Sequence, residues 1–487
     1  MSATKEIGQE DSTQVSFRDP AGRVLVIHGR VFRIIDELYK ERLLALLESS
    51  FHATLVNSGQ LIHTEILQEF PLVSQLIERV LPAKQDAVVL EHSYISFPTY
   101  PFEWAPEMLY QAAVLTLDIM DGLLVHGHGL KDASPYNVLF DGPRPVFIDF
   151  ASIEQREPCD PTWRAYAQFV RTFILPLLAE RHFGIGLDQT FRVHRDGLDS
   201  EHIYRMSSPL QRLRPPFLTL SSLPSWLSRL NPERYERIYQ PRRSGSKEQA
   251  SFILSRQLRA LRKKLSTARP KQSRQSIWKN YEDKEQQREH YLPLKEKFVA
   301  SSLGLSRATS VLDVGCNRGF FSFLAARAGC SVVAIDQDPV VVGEVWKGAY
   351  EQKLNILPLV IDLTRPTPAL GWRNRETLSF LERARGSFDC VLMLAVAHHM
   401  LVTARIPLEE IFRLAAELTT NLLVIEFVSP SDRMFRLLTR GNDALYAGLT
   451  REIFEKTAQE YFSIERSERL GESERWLYQM RRLTAIV

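Results

Sequence analysis

The sequence predicts an α/β protein in two parts: a carboxyl-terminal, doubly wound and mostly parallel sheet, preceded by a separate α+β unit. Three observations carry this expectation. From residue 309 onward, apolar strand-like runs alternate with helical stretches, the order a doubly wound sheet requires. Before that run, residues 241–275 hold eleven Lys or Arg against one acid, Glu248, although the whole chain is only +3. Finally, 487 residues are more than one hydrophobic core usually fills. The expected boundaries are therefore 1–240, 241–275 and 276–487.

In the first part, "GRVLVIHGRVFRI" (22–34) reads as strand, turn, strand, and "IDELYKERLLALLES" (35–49) has helical periodicity. The stretch "ATLVNSGQLIHTEIL" (53–67) is expected to be a hairpin around Asn57, Ser58 and Gly59. A strand, "AVVLEHSYISF", then leads into a long helix from about Pro106. That helix holds the longest apolar run, "MLYQAAVLTLDIMDGLLV", but Asp118 and Asp121 interrupt it, so a core helix is expected and not a membrane span. A further helix is expected over "WRAYAQFVRTFILPLLAERHF".

The basic segment has Leu254, Leu258, Leu261 and Leu265 at helical spacing, so its middle is read as an amphipathic helix. Its charge suits phosphates of a nucleic acid or a membrane surface. The favoured reading is plainer: a solvated helix docked by its leucines. Four scattered cysteines (Cys159, Cys316, Cys330, Cys390) show no metal-ligand spacing and are expected to be reduced thiols. The polar, mixed-charge start is unlike a signal peptide, so a cytoplasmic location is expected.

The carboxyl-terminal part carries the strongest chemical pattern. In "VLDVGCNRGFF" a buried strand runs into Gly315, a tight turn, Gly319 and a helix. Asp313 closes that strand, where it could meet an ammonium group. Asp336, in "VVAIDQDP", ends the next strand, where a carboxylate can accept two ribose hydroxyls. Asp362, in "LPLVIDLT", ends the third and suits an adenine amino group. "FDCVLMLAVAHHM" supplies a fourth strand that ends at His398 and His399, and "LLVIEFVSP" a fifth with Glu426 near its end. "FSIERSERL" and "RWLYQMRRL" suit a terminal hairpin. No phosphate cradle with a lysine is present, which excludes a P-loop nucleotidase.

These four successive motifs resemble those of class I S-adenosylmethionine-dependent methyltransferases, over about residues 276–487. The resemblance implies a Rossmann-like fold with S-adenosylmethionine as cofactor. It places Asp313, Gly315, Cys316, Asn317 and Gly319 around the methionine portion, Asp336 and Gln337 at the ribose, and Asp362 with Leu363 at the adenine. Methyl transfer to a hydroxyl or amine needs a proton acceptor. His398 or His399 is the candidate base, unless the two only line the pocket, and Glu426 is a second acid/base or orienting candidate. Trp278, Tyr281 and Tyr291 precede this core and are expected to pack, or else to close over the cofactor.

One stretch of the first part also carries chemistry. "LKDASPYNVLFDGPRPVFIDF" (130–150) places Asp132, Asn137 and Asp149 in the order in which phosphoryl transfer uses an acceptor-orienting carboxylate and two magnesium ligands. This resembles the core of the protein-kinase and aminoglycoside-phosphotransferase superfamily. It implies a magnesium ion held by Asn137 and Asp149, and Mg·ATP as a possible second cofactor. "LKD" replaces the usual His-x-Asp, no glycine-rich loop precedes it, and no lysine has the expected strand context. An abbreviated amino-terminal lobe is therefore expected. Together the two parts are similar to bacterial two-part methyltransferases and to nodulation host-specificity proteins. The methyl acceptor is unnamed by the sequence; a bifunctional enzyme, an RNA methyltransferase using the basic segment, and a non-catalytic scaffold are the alternatives.

Overall fold

The computed structural model describes residues 12–16, 19–80, 87–230, 243–271 and 285–483. Its first part opens with an antiparallel sheet of five strands, β1 (Ser12–Ser16), β2 (Gly22–Ile27), β3 (Arg30–Ile35), β4 (Thr64–Ile66) and β5 (Val88–His92), in the order β1-β2-β3-β5-β4. This sheet stands where the abbreviated lobe is expected. The expected hairpin around Asn57 is not formed. Ser49 caps a helix over Ser50–Asn57 through a hydrogen bond from His52 N, and Phe51 and Leu55 are buried on it. The β-branched residues suggested a strand, but the capping serine and the apolar pair four apart decided for a helix.

After the helix Pro106–Val125 come two small ribbons. Strand β6 (His128–Leu130) pairs with β9 (Ile153–Gln155), and between them β7 (Val138–Asp141) and β8 (Arg144–Phe147) form a hairpin. Among the described residues, Pro106–Val125 is the one helix long and apolar enough to cross a membrane, and eleven of its residues are buried in this fold.

The basic segment contributes the helix Lys247–Thr267, with Leu254, Leu258, Leu261 and Leu265 buried. It lies on the helix Pro106–Val125, where Arg262 pairs with Asp118 (2.8 Å) and Asp121 (2.5 Å). The two acids that break the apolar run thus face a cation on a neighbouring helix. This helix packs on the first part. Residues 241, 242 and 272–275 of the segment, and the candidate aromatics Trp278 and Tyr281, lie outside the described residues. Tyr291 is half-buried against the apolar core of the second part.

The carboxyl-terminal sheet has seven strands: β10 (Ser310–Val314), β11 (Ser331–Asp336), β12 (Ile356–Val360), β13 (Phe388–Met393), β14 (Thr419–Val428), β15 (Phe462–Arg469) and β16 (Arg475–Arg482). Their order is β12-β11-β10-β13-β14-β16-β15, with the first five parallel and β16 antiparallel to both neighbours. The order reverses between β10 and β13, so the crevice at this switch point opens at the strands' carboxyl ends. β10, β11 and β13 are almost wholly buried, as a sheet covered by helices on both faces demands.

The two parts share one apolar core, which runs from Phe102, Trp104 and Met108 to Leu312, Trp346 and Phe380. At its centre Arg383 forms an ion pair with Glu103, their side chains 2% and 0% exposed. Every arm is used: Arg383 also donates to the carbonyls of Pro98 (2.6 Å) and Ser379 (3.2 Å), and its guanidinium lies over the rings of Tyr100 and Phe97. Glu103 accepts from Thr367 Oγ1 (2.5 Å) and from Tyr100 N (3.3 Å). Nearby, Leu378 N donates to the Tyr100 hydroxyl (3.0 Å), and Trp346 Nε1 to Pro143 O (2.9 Å). Removing one partner of such a pair strands a buried charge, at a cost of about 3–5 kcal/mol. Arg383→Met is therefore expected to destabilise the protein by about that amount. Adding Glu103→Gln should recover much of the loss. Calorimetric unfolding should show one transition for both parts in the wild type; two separated transitions would contradict the shared core.

Candidate active site

The glycine turn after β10 is set by packing as much as by any ligand. Gly315 has φ 68°, and a Cβ there would lie 2.5 Å from a methyl of Val396, on the loop after β13. Gly319, at φ 77°, caps the helix Phe320–Arg327, and its Cβ would lie 2.8 Å from Val345. Both positions call for glycine because the left-handed backbone and the close neighbour exclude a side chain. Between them, Gly315 N and Cys316 N donate to Ile335 O, tying the turn to the end of β11. Asn317 adopts φ 49°, a conformation asparagine tolerates. Cys316 is buried, and burial, with Asp336 and Asp313 nearby, pushes its thiol well up.

Asp313 and Asp336 end adjacent parallel strands. Asp313 is 2% exposed, and it accepts a hydrogen bond from Ser322 Oγ (2.6 Å) on the helix that follows the turn. Burial, reinforced by the nearby Asp336, pushes its carboxyl up to about 6. Asp336 accepts from the backbone N–H groups of Asn317 and Asp338, both at 3.0 Å, so it fixes the turn and the next helix start together. Gln337 beside it is exposed. After β12, Asp362 is half-buried, held by Thr364 N (2.9 Å) and Thr364 Oγ1 (2.6 Å), and Leu363 is buried next to it. All three carboxylates stand at the same edge of the sheet.

His398 and His399 lie on the short helix Ala397–Val402, which follows β13. Their rings are 4.4 Å apart, and Phe435 stacks on His398. His398 is 4% exposed, and its Nδ1 has no hydrogen-bond partner. Burial holds this imidazole neutral, its pKa well below the usual histidine range, helped by the charges of Arg475 and Lys295. Burial lowers His399 to about 4. Both rings are neutral at pH 7.

Glu426, the second acid/base or orienting candidate, is fully buried, with Lys295 Nζ at 2.6 Å from one oxygen and Arg475 at 3.4 Å from the other. Arg475 continues to Asp432, the cap of the helix that carries Phe435. Glu426 therefore fixes the frame around His398. Nothing short-range in the sequence marks this network, because Lys295 and Glu426 are 131 positions apart. Asp338, which caps its helix through Val340 N, had a local signal in its following proline.

In the first part, Asp132 and Asn137 sit on the loop between β6 and β7, and Asp149 follows β8. Asp132 accepts from Gln168 Nε2 (2.8 Å). Asp149 faces Arg33 of β3 at 3.4 Å, and burial pushes its carboxyl up against that cation's pull. Asn137 O accepts from Ile148 N, but its Nδ2 is buried with no acceptor. Asp149, one of the two expected magnesium ligands, faces the Arg33 guanidinium, and among the described residues no group of three His, Cys, Asp or Glu is placed to hold a metal ion. Arg33 and its second partner, Asp19, carry no local sequence signal, since Arg33 lies 14 positions from Asp19 and 116 from Asp149.

Residues 312–417 match the family described as methyltransferase domain. Over 470 residues the chain is 27% identical to nodulation protein NoeA of Rhizobium meliloti (strain 1021), covering 96% of this chain and 95% of that protein. Among solved structures it aligns with magnesium protoporphyrin IX methyltransferase (ChlM) from Synechocystis PCC 6803 with bound SAH. That match is 21% identical, with 39% of this chain and 83% of that one covered and a TM-score of 0.28. It also aligns with N-methyltransferase NodS from Bradyrhizobium japonicum WM9, at 14% identity, 39% and 97% coverage and a TM-score of 0.28. The carboxyl-terminal part of this chain, built on the switch-point sheet and its glycine turn, is similar to methyltransferase domains over residues 312–417.

Proposed function

We propose that the protein transfers a methyl group from S-adenosylmethionine to an acceptor, and that its kinase-like amino-terminal part binds or presents that acceptor. A small molecule, a glycan or a lipid-linked intermediate is the favoured class. The observation that carries the cofactor assignment is Asp313: a buried carboxylate at a strand end that accepts from the Ser322 hydroxyl. A buried charge needs a counter-charge. The α-ammonium of adenosylmethionine supplies one, and Asp336 at the adjacent strand end suits the ribose hydroxyls. Asp362 and Leu363 suit the adenine, with Gln337 at the rim.

The cofactor brings an activated methyl, so alignment dominates the remaining barrier. His398 then has a definite role. A neutral imidazole with an open Nδ1 accepts a hydrogen bond from the acceptor's N–H or O–H and orients its lone pair. Such a lowered pKa makes it a weak base, and it would pass the proton on to water. His399 shapes the same wall. Glu426, Lys295 and Arg475 are positioning residues in this reading. The kinase-like reading of the first part is supported by its order: β6, the loop with Asp132 and Asn137, the β7–β8 hairpin, Asp149, and β9 paired back on β6.

Two outcomes are expected in calorimetric titrations with adenosylmethionine. Asp336→Ala weakens binding at least tenfold; unchanged affinity would remove the ribose assignment. Wild-type affinity is level above pH 6 and falls as pH drops through about 6, where Asp313 takes up a proton and loses its pull on the ammonium. Asp313→Asn should bind more weakly and lose that pH dependence. A wild-type profile flat from pH 5 to 8 would contradict the pairing.

A further inference from the structure

The cleft between the five-stranded sheet and the Asp132 loop is held by charges that the methyltransferase site does not use. Arg33, on β3, is 7% exposed. Its two terminal nitrogens reach Asp19 (2.8 Å), from the loop between β1 and β2, and Asp149 (3.4 Å). Lys131 approaches the other oxygen of Asp19 at 3.8 Å. Two cations therefore converge on one carboxylate. Two further N–H donors, Arg33 Nε and, on the loop between β6 and β7, Asn137 Nδ2, are buried with no acceptor. Buried donors of that kind are costly when left unpaired, so the cleft has more donor capacity than this chain's own acceptors meet.

We propose that this cleft binds a phosphate-bearing ligand without a divalent metal, with Arg33 and Lys131 as its cations and Asp19 as an internal anion that holds their place until displaced. Arg33 does what a metal would otherwise do beside Asp149, because a guanidinium presents several fixed N–H donors to phosphate oxygens. The charge balance makes the displacement necessary. Asp19, Asp132 and Asp149 against Arg33 and Lys131 leave the cluster formally negative, which repels a phosphate. With Asp19 swung out, the cations match the remaining acids. The ligand's oxygens then satisfy the unpaired N–H groups of Arg33 and Asn137. This inference does not depend on the methyl-transfer reading.

The test is calorimetry on the full chain with inorganic tripolyphosphate and with ATP, each in EDTA and in excess magnesium. Adenosylmethionine binding is measured on the same samples as a check of folding. Asp19→Asn should tighten tripolyphosphate binding at least tenfold over wild type in EDTA. Adding the half-exposed Lys131→Ala should remove most of that gain while the folding check is unchanged. Equal affinities for tripolyphosphate and ATP would identify the phosphates as the recognised group, and tighter ATP binding a nucleotide. Binding that requires magnesium and vanishes in Asp149→Asn would overturn the proposal in favour of a metal site. An Asp19→Asn protein that passes the folding check but binds no tighter than wild type would overturn it outright.

Discussion

The buried pair of Glu103 and Arg383 is the constraint on which the rest of the structure depends. Neither group reaches water, so the loop before the helix Pro106–Val125 and the segment leading into β13 must sit together. Around the pair, Thr367, Tyr100 and two carbonyls take up the remaining hydrogen-bonding capacity, and aromatic rings enclose the guanidinium. A pair satisfied this completely specifies geometry more than it adds stability, because desolvation offsets much of its Coulombic gain. Here it fixes the carboxyl-terminal sheet against the first part. The two parts thereby have one core, and any ligand held by the first would stand at a set place relative to the second.

The two sites are electrostatic opposites in their design. At the carboxyl ends of β10 to β12 three carboxylates collect, and Asp313 is left with a raised pKa and a hydroxyl for its partner. Such a site suits a cationic ligand. In the cleft of the first part, cations from β3 and from the Asp132 loop converge on a single acid of the chain itself. Between them, Glu426 shows how one residue type changes role with its surroundings. The same carboxylate at a strand end that would bind ligand beside β10 becomes an internal anchor beside β14, because Lys295 and Arg475 reach it first.

What the sequence made legible was local. The glycine turn, the acids at strand ends and the paired histidines are each coded within a few residues, since strand, turn and helix start follow directly. The docking of the basic helix by its leucines was legible for the same reason, as a periodicity. Contacts across long separations were not. Glu103 and Arg383 are 280 positions apart, and no short pattern joins them. Arg33 and Asp149 are 116 apart, and no local pattern joins them. The turn-forming Asn57, Ser58 and Gly59 suggest a hairpin, but the Ser49 cap starts a helix that runs to Asn57.

The most direct test is a crystal structure of the protein with S-adenosylhomocysteine. The ligand's amino group is expected at Asp313, its ribose hydroxyls on Asp336 and its sulfur facing the wall formed by His398. A ligand bound away from the ends of β10 and β11, or a ribose that leaves Asp336 untouched, would contradict this expectation.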